Sequence, residues 1–142
     1  MMTREEFAVC IDHFNNEQFD EAVSCCTDDV VVQYFVNMFV GVGKPLRLVG
    51  KQAFNDRYNL QSKSVKATLE LGKFVTDGKN IYTDLLIEYK FIEDMPDFSA
   101  GPMKKGDVLL CTDMLLYYLS NDGKIKEIHV GHHRIHDSIE PR

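Results

Sequence analysis

The sequence predicts an α+β domain in which a curved antiparallel sheet packs on three N-terminal helices around one pocket. Three observations carry that reading. Apolar residues recur at helical spacing near the N-terminus, and the periodicity changes to that of strands from Val65 onward. Asp77-Gly78 and Asn121-Asp122-Gly123 then supply turn residues tolerant of positive φ between apolar runs.

Thr3 and Glu6 have capping-box spacing, and Phe7, Cys10, Ile11 and Phe14 follow as the apolar stripe of a first helix. Asn15-Asn16 breaks it, and Phe19, Ala22, Val23 and Cys26 repeat the spacing on a shorter second helix. Thr27-Asp28-Asp29 ends the helical pattern, and the β-branched and aromatic run from Val30 to Val36 reads as a strand. Residues 37–50, with three glycines and Pro45, read as either an irregular flap or a short hairpin about Gly41-Val42-Gly43. Lys51 to Leu60 forms a third helix with Phe54 and Tyr58 one turn apart. Four strands follow, over 65–76, 79–91, 107–119 and 124–134. The loop over 93–106 exceeds what a tight turn needs and has the length to cover a pocket mouth. A sheet this long twists and curls, so its helix-covered side is concave and a pocket between the layers results.

At 142 residues the chain has the size of a single domain, 1–142, and its 44% hydrophobic and 27% charged residues are those of a soluble globular protein. The net charge of -6 and the scattering of sixteen Lys and Arg argue against nucleic acid as a partner. Residues 1–6 carry no signal-peptide stretch, and no segment is apolar over the roughly 20 residues that span a bilayer, so no membrane association and a cytoplasmic location are expected. Cys10, Cys25, Cys26 and Cys111 form no metal-binding spacing and read as thiols of a reduced protein.

Three stretches occur in order at plausible spacings: Phe19-Asp20-Glu21-Ala22-Val23 leading into Cys26-Thr27-Asp28-Asp29-Val30, Gly50-Lys51-Gln52-Ala53-Phe54, and Asp122-Gly123-Lys124-Ile125. With the element order, they make the chain resemble the SnoaL-like branch of the NTF2-like superfamily over nearly its whole length. The resemblance implies a cone-like fold, association as a homodimer through the outer sheet face, and no cofactor. Its catalytic members include ketosteroid isomerases, polyketide cyclases, scytalone dehydratases and limonene epoxide hydrolases, while others only bind partners. Asp113, within Cys111-Thr112-Asp113-Met114-Leu115, looks like the counterpart of an isomerase aspartic acid. The isomerase's proton-shuttling aspartate falls at Tyr34 and its oxyanion-binding tyrosine near Cys10, so steroid isomerisation of that kind is not expected.

A last hairpin turning at Asp122-Gly123 with Asn121 facing Lys124 sets Asp113 opposite His132, Leu115 opposite Val130 and Tyr117 opposite Ile128. A carboxylate beside an imidazole on an apolar wall has the makeup of a general acid/base pair, and equally of a satisfied structural pair. Tyr34, Tyr58 and Tyr117 are candidate donors to a substrate oxyanion, with Leu115 and Val130 as binding wall. Four histidines at 129, 132, 133 and 136 suggest zinc, but strand alternation separates neighbours and no ligand spacing accompanies them, so no metal is expected. Asp84 and Glu88 share the strand face opposite Ile81, Thr83, Leu85, Ile87 and Tyr89, and read as a solvated face. Leu110, Met114, Leu116 and Tyr118, on the side away from Asp113, form the face expected to meet a second copy.

The function expected is therefore a cofactor-independent isomerase, cyclase or dehydratase working by acid/base chemistry on a small hydrophobic polyketide-, terpenoid- or steroid-like molecule. The alternative is a non-catalytic module that binds a small ligand or a protein. No phosphate-binding glycine loop or nucleophile elbow supports another class.

Overall fold

The computed structural model describes residues 2–35, 45–98 and 101–136, with backbone alone at 132–134. Helix α1 (Arg4–Asn15) starts at the predicted capping box: the Glu6 amide donates to Thr3 Oγ1 at 3.2 Å and the Thr3 hydroxyl to Glu6 Oε1 at 3.2 Å. Its apolar stripe buries Phe7, Ile11 and Phe14. Both ends of the helix are tied to β3 (Val65–Thr76). Arg4 donates to the Gly72 carbonyl at 2.9 Å, while the Asn15 amide donates to Leu69 O at 2.9 Å and accepts from Leu69 N at 2.7 Å.

The second helix, α2, is one turn long (Phe19–Ala22) and stops short of the predicted Cys26. Cys26 instead opens strand β1 (Cys26–Tyr34), because the Cys25 carbonyl accepts the Ile125 amide at 2.9 Å and so starts the sheet. Local helical periodicity loses here to strand pairing, and Thr27-Asp28-Asp29 lies inside the strand rather than before it. The last residue of the predicted strand, Val36, and the Gly41-Val42-Gly43 hairpin lie outside the described residues. Leu46–Val49 forms a short strand, β2, which the sequence reading did not separate from the flap; it pairs antiparallel with β1, Val31 opposite Val49 and Tyr34 opposite Leu46. Helix α3 (Lys51–Gln61) begins at the predicted position, with Gly50 as its N-cap.

Strands β3, β4 (Asn80–Phe91), β5 (Val108–Leu119) and β6 (Ile125–His136) are consecutive and antiparallel, as expected, in a six-stranded sheet of order β2-β1-β6-β5-β4-β3. The sheet is not antiparallel throughout: β1 runs parallel to β6, with Val32 opposite Ile128 and Tyr34 opposite Val130. Helix α1 lies over β3, and the core comprises its stripe together with inward residues of every long strand, among them Val30, Val65, Ile81, Phe91 and Cys111. The described residues of the loop after β4 do not cover the pocket. Met95 and Met103 bridge across it at 2.8 and 3.0 Å, Phe98 packs on Phe91 with ring centroids 5.1 Å apart, and none of its described residues lines the cavity. Burial of Phe98 pulls the loop onto the end of the sheet instead. Among the described residues no helix is long and apolar enough to cross a membrane.

The β5–β6 turn has one residue more than predicted. Ser120 rather than Asn121 faces Lys124, with Ser120 N donating to Lys124 O at 2.7 Å, and Gly123 takes the positive φ of +83°. This turn pairs Leu119 with Ile125, a register one residue away from the predicted one. A bulge then restores it: both Lys126 and Glu127 turn outward, so Tyr118 faces Glu127, Tyr117 faces Ile128, Leu115 faces Val130 and Asp113 faces His132. A second shift follows, where Thr112 faces Arg134.

Another register shift, in β3 between Leu71 and Phe74, explains Asp84. Its carboxylate accepts the Lys73 amide at 2.5 Å, and a Cβ on Gly72 would collide with that carboxylate. Gly72→Ala is expected to cost about 1–3 kcal/mol by overpacking. Urea denaturation of a double-mutant cycle with Asp84→Ala checks this, the cost of the glycine change falling once the carboxylate is gone. Equal costs in both backgrounds would exclude the proposed collision.

Candidate active site

The inward faces of every strand except β2 close with the three helices on a cavity of about 120 Å³. An apolar cavity of about 150 Å³ admits benzene, so this volume is on the scale of a single ring. The wall is apolar at Phe7, Ile11, Val32, Leu85, Leu115, Ile128 and Val130 and polar at few points: Tyr34, Tyr58, Gln61, Tyr89, Asp113, Tyr117 and the cysteines at 10, 25 and 26. Alternation along β5 and β6 brings Asp113, Leu115, Tyr117 and Val130 together, β1 adds Tyr34, and α3 adds Tyr58.

Asp113 is 7% exposed, between Leu85 on β4 and His132 on β6 in the strand register. His132 is therefore its backbone neighbour, while the His132 side chain is outside the described residues. Burial raises the Tyr34 phenol far above its ordinary range; the positive Arg57 offsets part of this, and the negative Asp113 adds to it. Tyr89 is raised in the same way by burial first, then by its neighbours Cys111, Asp113 and Tyr34. Tyr117 is raised by burial and then by Cys26 and Tyr34. All three phenols thus stay protonated at neutral pH, where they can donate hydrogen bonds but not accept a proton as phenolates. Arg57, half-buried on α3, has its own pKa lowered by burial, an effect that Tyr34 and Tyr89 offset only in part.

Tyr58 sits differently from the other phenols. Its ring packs against Phe54, Phe14 and Phe19 at centroid distances of 4.5, 5.0 and 5.9 Å, an aromatic cluster that joins the three helices on the cavity's helical side. Tyr89 and Arg57 were not among the residues singled out from sequence. The signal for Tyr89 was present, since it continues the inward alternation Ile81-Thr83-Leu85-Ile87 on β4. Arg57 has no such signal, being one polar residue on a helix whose residues are all partly exposed. The two positions matched to steroid isomerase residues, Tyr34 and Cys10, both line the cavity.

The outward histidines have other neighbours. The His129 ring lies 5.4 Å from Phe35 and 5.0 Å from Tyr118, with Nε2 at 3.1 Å from Glu127 Oε1, and His136 Nε2 is 2.7 Å from Thr112 Oγ1. Among the described residues no three His, Cys, Asp or Glu side chains are grouped to hold a metal ion. Asp84 and Glu88 face away from the cavity.

No protein-family model matches the sequence, and no curated protein matches it. Solved structures do match in fold. The epoxide hydrolase/cyclase-like enzyme SalBIII, of pyran ring formation in the polyether salinomycin, superposes with a TM-score of 0.66 at 21% identity, covering 92% of this chain and 90% of its own. A SnoaL-like polyketide cyclase from Agrobacterium tumefaciens strain C58 gives 0.65 at 16% identity, covering 94% of both chains. A Mycobacterium tuberculosis protein in complex with estradiol-17β-hemisuccinate gives 0.63 at 13% identity, covering 85% of both. The chain has the α+β fold of the SnoaL-like and NTF2-like proteins.

The raised phenols have a pH signature. An unfolded tyrosine ionises near pH 10 while Tyr34, Tyr89 and Tyr117 in the fold do not, so the folded state holds more protons above that pH. Their contribution to stability is full below about pH 10 and is lost as pH rises beyond it. Denaturant titrations across that range are expected to show falling stability, with a shallower fall in Tyr34→Phe. An unchanged slope in that variant would exclude Tyr34 as a contributor.

Proposed function

We propose that the protein is a cofactor-independent enzyme, an isomerase, cyclase or dehydratase, that moves a proton on a small hydrophobic molecule, with Asp113 and His132 as its acid/base pair. The observation that carries this reading is a buried carboxylate on the wall of an apolar cavity, within electrostatic reach of phenols that stay protonated. In the proposed reaction Asp113 takes a proton from a carbon next to a carbonyl, and His132, its cross-strand neighbour, relays that proton. The Tyr34 and Tyr89 hydroxyls donate to the oxygen on which negative charge develops, helped by the positive charge of Arg57. Tyr58, Leu115, Tyr117 and Val130 pack the substrate against that arrangement. The proton transfer either returns the proton to another carbon, leads to ring closure, or leads to loss of a hydroxyl as water, and none of these outcomes takes up or releases electrons.

The cavity volume narrows the substrate. The enclosed, reacting part is about one ring in size, and a larger polyketide-, terpenoid- or steroid-like molecule places its remainder outside the enclosure. Fold neighbours that include a cyclase-like enzyme and a steroid-complexed protein are in keeping with apolar ligands. The rival reading, a non-catalytic binding module, has the same fold.

The test needs no knowledge of the natural substrate. Small cyclic ketones incubated with the protein in heavy water are expected to exchange the proton next to the carbonyl, followed by NMR. Asp113→Asn should slow that exchange by about 10²–10⁴-fold while ligand affinity stays within a few-fold. Exchange at the same rate in wild type and variant would sink the mechanism, and ligand binding without exchange in either would favour the binding module.

We also propose that a second copy covers the outer sheet face, where Met114 is 56% and Tyr82 51% exposed beside half-buried Leu110, Leu116 and Tyr118. Light scattering is expected to report two chains per particle, reduced to one by Met114→Glu. A wild-type monomer at micromolar concentration would overturn this.

A further inference from the structure

Two thiols on the cavity wall are in unusually close approach. Cys10 Sγ, from the middle of α1, lies 2.9 Å from Cys25 Sγ in the turn that leads into β1. A disulfide needs about 2.05 Å between sulfurs, so less than 1 Å of movement separates this contact from a bond. The two residues are fifteen apart, and both are partly buried rather than sealed. Cys25 is fixed to the sheet, its carbonyl accepting the Ile125 amide at 2.9 Å, whereas Cys10 belongs to the helix above the cavity. Cys26, next in the chain, is buried and faces inward.

We propose that Cys10 and Cys25 are a reversible dithiol–disulfide pair, oxidised by a low-molecular-weight disulfide of the glutathione type, that fastens α1 to the sheet over the cavity. In the first step the Cys25 thiolate attacks one sulfur of the external disulfide, forming a mixed disulfide and releasing one thiolate, which takes up the proton Cys25 lost. Cys10 then loses its proton and attacks the Cys25 sulfur, expelling the second external thiolate, which takes up that proton. Two protein thiols are oxidised, one S–S bond forms, and one external disulfide is reduced to two thiols.

The surroundings of both sulfurs favour the thiol over the thiolate. The hydrogen bond with Cys10 lowers the Cys25 thiol, but the bond with Cys26 and burial outweigh it and push it up to about 12; Cys10 is raised too, by its hydrogen bond with Cys25 and by burial. Both thiols are thus mostly protonated at neutral pH. Such thiols exchange slowly and follow the ambient disulfide pool rather than scavenging peroxide. The bond would close a loop holding α2, and helix and sheet could no longer part at this end of the cavity.

The full chain, incubated in an oxidised-glutathione buffer, denatured and alkylated, is expected to retain two of its four thiols. A glutamate-specific protease cuts after Glu17 and Glu21, between the two sites, so the Cys10 peptide should appear linked to the peptide carrying Cys25. Cys10→Ala should abolish the link and Cys26→Ala should leave it. In the oxidised chain the thermal midpoint should rise, and release of an apolar fluorescent probe from the cavity should slow several-fold. Four thiols still free, a stable glutathione adduct on Cys25, or a Cys25–Cys26 bond would each overturn the pairing. Probe release at equal rates in both forms would overturn the fastening.

Discussion

The side chain of Asn15 holds the cavity open by doing what a neighbouring strand would otherwise do. Strand β3 lies at the edge of the sheet, and Asn15 offers the Leu69 backbone both a donor and an acceptor, at 2.9 and 2.7 Å. Side-chain amides satisfy such backbone groups as a neighbouring strand does. With Arg4 on the Gly72 carbonyl at the other end, α1 is held at two points along one strand. Phe7, Cys10, Ile11 and Phe14 then face the cavity from a fixed height. The helix spans the concave face without collapsing onto it.

That arrangement keeps the interior mostly apolar and gives its few polar groups their character. Burial is the first cause of the raised phenols, and charge from Asp113 adds to it at Tyr34 and Tyr89 only after larger effects of Arg57 and Cys111 respectively. The order matters, because an apolar wall keeps the hydroxyls as donors whatever sits beside them. Arg57 works in the opposite sense at Tyr34 and is itself weakened by partial burial. Carboxylate and guanidinium thus act on the same phenol from different elements, β5 and α3.

Much of this was legible in the sequence where the determinant was local. The Thr3 cap, the α1 stripe, the start of α3 after Gly50 and the four long strands all follow from short-range patterns. The parallel pairing of β1 with β6 was not, because partners about a hundred positions apart leave no mark on local periodicity. Helix α2 was overextended for the same reason: Cys26 fits the helical spacing but is claimed by strand pairing at Ile125. At the site, alternation identified the wall positions Leu115, Tyr117 and Val130 beside Asp113, and overlooked Tyr89 only because its neighbours made it read as core. The Asp113–His132 register was reached with a turn one residue too short, an error that the unforeseen bulge at Lys126 cancels.

The compensation between turn and bulge also says where this hairpin tolerates change in length. Lys126 and His133 are extra residues at either end of the stretch that supplies the β6 wall, and between them pairing runs without interruption from Glu127 to His132. Loss of Lys126 would remove a bulge and leave Ile128 and Val130 facing inward, since the residues on each side already alternate. An insertion inside the uninterrupted stretch would instead turn one set of side chains over and exchange the apolar wall for the face that carries Glu127 and His129. Drift in chain length can therefore accumulate at the hairpin's ends without touching the pocket, while a single event in its middle would give the same fold a different interior.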